Sequence, residues 1–373
     1  VGPTYPYRGG ISHYNTCLIR ELSGRGETLA INYSRLYPNF LFPGKTQFDE
    51  SERPLEAPSL RLIDSLNPLS WIRAGVAAAR FRPDAVLVEW WHPFFALPMA
   101  ALCAVVRARC RAKIIFICHN VLPHERSRID AMLARIAFSG ADAFIVQSNE
   151  DREKLRGIKR RPPVIVHPHP IYDFFAASRP AREGAREAIG EGEGPLVLFF
   201  GYVRGYKGLR HLLEAMPVVR ARVRARLLVV GEFYEDRSPY DALVEKLDLA
   251  DAVRFVDRYV GNEEVESYFA ACDLVVLPYV SATQSGIVQI AIAFDRPVVV
   301  TDVGGLPEAV APQRTGFIVP PRDSLALAGA ITRFFEEGWA ERMAPFFAEE
   351  KRRFSWSAMA EAVEGLLQRL RGA

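Results

Sequence analysis

Short, nearly unbroken apolar runs recur along the chain, each separated from the next by a stretch long enough to hold an amphipathic helix. In the first half the runs are "AVLVEWW" (85–91), "KIIFICH" (113–119), "AFIVQS" (143–148) and "PVIVHP" (163–168). The second half repeats the rhythm with "PLVLFFG" (195–201), "ARLLVVG" (225–231), "VRFVDR" (253–258), "DLVVLPY" (273–279) and "PVVVTD" (297–302). Strands that are apolar on both faces and alternate with helices are parallel strands covered on either side. The pattern predicts an α/β chain with two Rossmann-like, doubly wound domains facing across a cleft. The terminal run "WSAMAEAVEGLLQRLRGA" (356–373) carries apolar residues at helical spacing and predicts a last helix.

Two stretches break the rhythm. "PAREGAREAIGEGEGP" (180–195) is rich in charge, glycine and alanine, and is the best candidate for the connection between domains, with room for one short helix. The junction is placed near 175–194, giving domains at 1–175 and 190–352, with 353–373 as a C-terminal helix. "YSRLYPNFLFPGKTQFDESERPLEAP" (33–58) has four prolines and no period, and a loop of that length in a compact domain is usually functional or mobile. The chain opens on Val1-Gly2-Pro3, read as the middle of a strand, and no signal peptide is seen.

Composition narrows the class. A chain of 373 residues exceeds what one core usually fills, and 49% apolar with 24% charged residues marks a globular chain rather than a disordered one. The net charge is only +3 and the arginines are scattered, so nucleic acid is not an expected partner. Five cysteines without a CxxC pair read as reduced thiols packed as small core residues, which suggests a cytoplasmic protein. The longest apolar run, "FFALPMAALCAVV" (94–106), is too short for a membrane span, is broken by Pro98 and predicts a buried helix.

Ligands of doubly wound sheets bind at the carboxyl ends of the strands. "FFGYVRGYKG" (199–208) sits at such an end. Gly201 and Gly205 permit close backbone approach, Arg204 and Lys207 add two cations, and a helix follows whose N-terminal amides favour an anion. The other reading is that the glycines merely turn the chain and the cations are solvated. The stretch is neither GxGxxG nor a P-loop. At a second strand end Ser281, Thr283, Gln284, Ser285 and Gly286 offer hydroxyls, an amide and open backbone just before the apolar run Ile287, Val288 and onward to Phe294. Two anion-friendly helix starts in one domain point to a diphosphate.

"FGYVRGYKGL", "VRFVDRYVGNEEVESYFAACDLVVLPY", "SATQSGIVQIAIAFDRPVVVTDVGGLPEAV" and "GFIVPPRD" together resemble the C-terminal domain of the retaining family-four glycosyltransferases (glycosyl transferases group 1) with the GT-B fold. "PYRGGISHYN" looks like their N-terminal glycine loop. The resemblance is strongest over 195–323. It implies that Lys207 holds the donor diphosphate, and that Arg204 takes over from the family's partner arginine, whose usual place is held by Tyr202. It further implies that Gly9 and Gly10 close over the phosphates, that His119 in "ICHN" lies near the transferred sugar, that the backbone of Ser285–Val288 takes the distal phosphate, and that Glu308 is the glutamate of the "GG-x-P-E" turn.

The chain departs from the family at two glutamates. Alignment on Gly286 puts Thr283 and Ala291 in their places, and anchoring on Pro297 puts Ala282 and Ile290 there. Thr283 and Gln284 can still bond sugar hydroxyls, whereas neither Ala291 nor Ile290 can grip a ribose. No Asp-x-Asp element is present, so no metal and no cofactor is expected.

The expected function is a retaining, hexosyltransferase-like enzyme of polysaccharide or glycoconjugate synthesis. It would use a nucleotide sugar of UDP or GDP type and a glycan, lipid-linked or small-molecule acceptor. The alternatives are a sugar-nucleotide epimerase or hydrolase of the same architecture, and a non-catalytic sugar-nucleotide-binding partner subunit. "HNVLPHE" (119–125) and "HPHP" (167–170) both end strands and carry residues able to ligate zinc, but their spacing fits no standard pattern. A hydrogen-bonded strand-end histidine is the other reading of His119. Trp90, Trp91 and Phe94 read either as the acceptor wall or as core. Arg107, Arg109, Arg111 and Lys113 trail an apolar helix, which suits a lipid surface at the inner membrane or a solvated helix end.

Overall fold

The computed structural model describes residues 1–38, 42, 45–122, 128–159 and 161–372. The chain divides into two compact units. The first comprises Val1–Glu50, Pro54–Pro170 and Ser355–Ala373, and the second Ser51–Arg53 and Ile171–Phe354.

In the first unit helix α1 (Gly10–Ser23) leads to strand β1 (Ile31–Arg35) and, after the long loop, to β2 (Leu60–Asp64). Then follow α2 (Pro68–Arg80), β3 (Ala85–Trp90), α3 (Ala96–Arg109), β4 (Lys113–Cys118), α4 (Arg128–Ala137), β5 (Ala143–Val146), α5 (Asn149–Arg156) and β6 (Val164–Val166). Strands β3-β4-β5-β6 form a parallel sheet in that order, and β1 pairs with β2 in parallel. Residues 1 and 2 bridge the two sheets: Gly2 N donates to Ile31 O at 3.1 Å, and Glu89 N donates to Val1 O at 3.0 Å. The chain therefore turns one way to β1 and the other way to β3 from this central segment.

The core of this unit includes Trp90, Phe95, Met99, Phe116, Phe138 and Phe144. Helices α2 and α3 pack closely because position 75 has no side chain, and a Cβ there would lie 2.7 Å from Cβ of Val105. Asn67 caps α2, accepting from Leu69 N at 3.1 Å, with Pro68 in the first turn.

The second unit begins with α6 (Arg182–Ala188) and continues with β7 (Leu196–Phe200), α7 (Leu209–Val223), β8 (Arg226–Val230), α8 (Ser238–Lys246), β9 (Val253–Val256) and α9 (Asn262–Ala271). Then come β10 (Leu274–Leu277), α10 (Gly286–Ala293), β11 (Val298–Thr301), β12 (Gly316–Val319), α11 (Ser324–Glu336), α12 (Trp339–Met343) and α13 (Phe347–Arg353). Its six strands are all parallel, in the order β12-β11-β10-β7-β8-β9. The first strand of the unit is thus central, and the winding reverses between β7 and β10. The last helix, α14 (Trp356–Gly372), belongs to the first unit, where it packs on α1.

All nine anticipated apolar runs are strands, each a little shorter than its run. β1, β2 and β12 were not anticipated. Tyr33–Arg35, expected to open the long loop, complete β1. The stretch 180–195 carries α6 inside the second unit: Arg186 is buried and donates to Ala271 O at 3.0 Å and to Asp273 Oδ2 at 3.0 Å. Residues 94–106 fall on a one-turn helix (Pro93–Phe95) and α3. The five cysteines are free thiols.

Candidate functional site

The winding reverses between β7 and β10, and the carboxyl ends of the two strands at such a reversal are the place where sheets of this kind take ligands. Both sequence-predicted cradles sit there, one after each strand. After β7 the chain passes through Gly201 at φ 100°, makes one helical turn over Gly205–Lys207 and enters α7 through Gly208 at φ 67°. These angles favour glycine, and space requires it as well. A Cβ on Gly208 would lie 2.0 Å from the carbonyl oxygen of Pro278, at the end of β10. A Cβ on Gly201 would lie 2.9 Å from Nζ of Lys207 and 3.6 Å from Cδ1 of Ile287 in α10. The glycines let the two strand-end loops touch.

Lys207 is buried, with its ammonium 5.5 Å from the ring centre of Tyr279. Burial, and then the neighbouring Arg204 charge, lower its pKa to about 7. Arg204 lies over the Tyr234 ring at 4.8 Å. Among the described residues no carboxylate forms an ion pair with either cation. Tyr279 ties the first cradle to the second, since its hydroxyl lies 3.4 Å from Oγ of Ser285. Ser285 caps α10, accepting from Ile287 N at 3.3 Å, and is buried like Thr283. Gly286 has no room for a side chain, because a Cβ would meet the Tyr172 ring at 2.8 Å.

The Gly304–Gly305 turn is fastened to this loop. Gly305 N donates to Thr283 O at 2.8 Å, and Gln284 Nε2 donates to Gly305 O at 3.2 Å. Glu308 follows in a one-turn helix (Pro307–Ala309), its carbonyl accepting from Arg353 at 3.4 Å. The structure thus places Gly201, Arg204, Lys207, Thr283, Gln284, Ser285, Gly286, Ile287 and Val288 on the adjoining loops and helix starts that follow β7 and β10, with the Glu308 turn beside them. Ala291 and Ile290, where the second family glutamate is expected, are both buried apolar positions on α10.

Sequence reasoning missed Gln289, a fully buried amide on α10 with neither its nitrogen nor its oxygen hydrogen-bonded among the described residues. Its only signal was a lone amide in an otherwise apolar helix.

In the first unit Gly9, at φ 106°, precedes α1 as its N-cap, and among the described residues no atom lies within 4 Å of where its Cβ would be. Here the backbone angle alone asks for glycine. Gly10 is the first residue of α1 and is exposed. Gly9, Gly10 and His119 belong to the first unit and the cradles to the second.

His119 follows β4 and is buried. Its Nε2 lies 2.6 Å from Oε2 of Glu89, and its Nδ1 accepts from Gln147 Nε2 at 3.0 Å. With the Gln147 amide donating to Nδ1, the ring proton sits on Nε2 and is donated to the carboxylate. Glu89, at the end of β3, was not anticipated; its other oxygen is buried without a hydrogen-bond partner among the described residues. A Cβ on Gly2 would lie 2.6 Å from Cγ of Glu89, so the glycine makes the slot the carboxylate fills.

Tyr14 of α1 meets His119 edge-on at 4.6 Å, His169 at 5.1 Å and Trp356 at 5.0 Å. Burial drives the pKa of His169 down to about 3, so this ring is neutral at physiological pH. His124 lies outside the described residues. Among those described, no three His, Cys, Asp or Glu side chains gather as a metal would require. Trp90 and Trp91 are core residues, while Phe94 is half-buried. Arg107 pairs with Asp142 at 3.0 Å.

Comparison with known proteins agrees with this architecture. Residues 194–337 match the family model "Glycosyl transferases group 1", and residues 9–171 match "Glycosyl transferase 4-like domain". A D-inositol 3-phosphate glycosyltransferase from Streptomyces avermitilis is 30% identical over 256 residues, covering 64% of this chain and 54% of that protein. The alpha-D-kanosaminyltransferase of Streptomyces kanamyceticus is 26% identical over 245 residues, covering 63% and 62%. The chain spans about half the length of the first of these curated relatives. Among solved structures, sucrose-phosphate synthase from Thermosynechococcus elongatus matches with a TM-score of 0.74 at 22% identity, covering 98% of this chain and 94% of that one. Anabaena HepE, solved in complex with UDP, matches with a TM-score of 0.73 at 18% identity, covering 99% and 98%. These structures share the GT-B fold, with its two Rossmann-like domains. With both units matched by their own family model and the fold matched along almost the whole chain, the protein belongs to the group 1 glycosyl transferases.

Proposed function

We propose that the chain transfers a sugar from a nucleoside-diphosphate sugar of UDP or GDP type to an acceptor hydroxyl, with retention of configuration, and that side-chain cations take the part a metal plays elsewhere. The observation that carries this reading is the pair Arg204 and Lys207, without carboxylate partners among the described residues, at the reversal point of the second sheet and between two helix starts. Breaking the sugar–phosphate bond leaves negative charge on the departing diphosphate. Lys207, Arg204 and the amides at the start of α10 face that charge without reorganising. The new bond joins the anomeric carbon to the acceptor oxygen, and the acceptor proton passes to the leaving phosphate oxygen. Thr283 and Gln284 are the sugar-side hydrogen-bonding groups of this unit. In the first unit His119 would meet the sugar only by giving up Gln147, the longer of its two hydrogen bonds, while Glu89 acts as its positioning residue.

HepE was solved with UDP, which makes UDP the first ligand to try. The names of the curated relatives support a transferase and leave glycan, lipid-linked and small-molecule acceptors all to be tested. Calorimetric titration with UDP, GDP and ADP, on the wild type and Lys207→Ala, is the deciding experiment. Binding of one diphosphate that disappears in the variant supports the donor site, and no binding by folded wild type rejects it. The anomeric configuration of the product, read by NMR, tests retention.

One observation favours a second reading: the buried apolar Ala291 and Ile290 where a ribose-binding glutamate is expected fit a sugar-nucleotide-binding subunit without turnover. That reading predicts diphosphate binding but no hydrolysis or transfer with any sugar nucleotide.

A further inference from the structure

Arginines that lie over aromatic rings in the second unit are, with one exception among the described residues, also held by a carboxylate. Arg237 pairs with Asp241, Arg314 with Glu349, Arg333 and Arg342 with Glu337, and Arg353 with Glu350. The exception is Arg204, whose guanidinium carbon sits 4.8 Å from the centre of the Tyr234 ring. The difference matters because a guanidinium is planar. A carboxylate takes up its in-plane N–H groups, whereas a ring takes the face and leaves those donors to a ligand. Arg258, just after β9, shows the spent case, with both terminal nitrogens donating to Glu264.

The chain's own bonds fix the ring. The loop after β8 runs beside the loop after β7 in a short parallel bridge, in which Val203 N donates to Glu232 O at 3.0 Å and Tyr234 N donates to Val203 O at 3.0 Å. Phe233 N donates to Asp257 Oδ1 at 3.1 Å. Tyr202, which stands where the family arginine is expected, packs against the Tyr234 ring at 4.4 Å. Glu235 follows the ring in the chain, yet its carboxylate is engaged elsewhere, accepting from Gly205 N at 2.6 Å and from the Tyr240 hydroxyl. These two bonds hold the residue that follows Arg204. A cation kept in place by such a frame meets its ligand without reorganising. Building on the donor site proposed above, we propose that Tyr234 is a positioning residue whose ring holds the Arg204 guanidinium by its face, so that the in-plane donors stay open to the donor diphosphate.

Two measurements on the full chain test this. The first needs no ligand and uses protein labelled with nitrogen-15 arginine, the Arg204 Nε–H signal being identified by its loss in Arg204→Ala. Tyr234→Leu should shift that signal, because the ring current is gone, and should raise the mobility of the side chain. The second is calorimetric titration with UDP, or with GDP if only GDP binds, of the wild type, Arg204→Ala, Tyr234→Leu, Tyr234→Phe and Arg204→Ala/Tyr234→Leu. Affinity should fall roughly thirtyfold in Arg204→Ala and about fivefold in Tyr234→Leu, while Tyr234→Phe, which keeps the ring, recovers the loss. The double variant should bind within about twofold of Arg204→Ala, since Tyr234 acts through the arginine. Circular dichroism checks folding, and Tyr234→Gln replaces a leucine variant that fails the check. An Arg204 signal unmoved by the loss of the ring overturns the proposal and leaves the donor site standing; so do losses that add in the double variant. A wild type that binds neither nucleotide, or a folded Arg204→Ala that binds as well as wild type, sinks the donor site and the proposal with it.

Discussion

The polar clusters at the strand ends of the two units are built in opposite ways. In the second unit Arg204 and Lys207 bring two positive charges near one another with no carboxylate ion-paired to either among the described residues, and burial weakens the hold of Lys207 on its proton. In the first unit His119 has both ring nitrogens engaged, one by Glu89 and one by Gln147. The first of these clusters presents positive charge, whereas the second engages both nitrogens of a ring and leaves one oxygen of Glu89 without a hydrogen-bond partner among the described residues. A fold tolerates a buried uncompensated charge only where something else is gained, so the positively charged cluster is the one that awaits an anion. The other holds the orientation of the His119 ring.

This contrast can be broken by substitution, starting with the largest effect. Gly208→Ala must accommodate a Cβ 2.0 Å from a backbone oxygen at a left-handed φ, and should destabilise the second unit by about 2–5 kcal/mol, read as a lowered thermal midpoint. Lys207→Ala should weaken nucleoside diphosphate binding by roughly a hundredfold, the value of a charge-assisted contact. The same substitution should raise the stability of the ligand-free protein, because a poorly solvated ammonium is removed. Binding lost together with stability would contradict that account.

Next comes Glu89→Ala, expected to cost about 1–3 kcal/mol and to change the tautomer of His119, which nitrogen-15 imidazole shifts report directly. An unchanged His119 signal would mean that the carboxylate does not position the ring.

The effect of pH follows from the lowered Lys207 value. Below pH 7 the lysine is charged before and after the anion arrives, so its own contribution to affinity is flat. Above 7 the free protein must take up a proton to bind, so affinity should fall by about tenfold per pH unit until the bound-state pKa is reached. Calorimetry in buffers of different ionisation enthalpy would detect that proton; its absence at pH 8 would show that Lys207 stays charged when empty. The smallest effect belongs to Gly9→Ala, where the φ of 106° is violated and no atom of the described residues lies in the way, at a cost of about 1 kcal/mol.

The sequence was most readable where the demand on each residue was local. Runs such as "PLVLFFG" and "PVVVTD" became central strands because apolarity on both faces leaves a chain no other place. β1 and β2 escaped because their burial is uneven and polar residues interrupt their apolar runs, while β12 opens on a glycine. The glycines and cations of 199–208 were readable for the same local reason. What could not be read was partnership across distance. Glu89 looked like one odd acid in an apolar strand, and its role depends on a histidine thirty residues away and on the slot at Gly2. Trp90 and Trp91, taken as equally suited to a ligand wall, are core because β3 is flanked by β4 and covered by α3, which no short window reveals. The connection at 180–195 looked like a linker by composition, yet Arg186 ties it to the end of α9.

Tyr14 has three aromatic neighbours drawn from three distant parts of the chain: His119 after β4, His169 after β6 and Trp356 at the start of α14. One phenol ring is thus the common wall of the imidazole and of the last helix. A disturbance that enters at the carboxyl terminus, whether a truncation or a fused tag, has a path of two ring contacts to the histidine, and the NMR line of His119 becomes a gauge of how firmly α14 is seated.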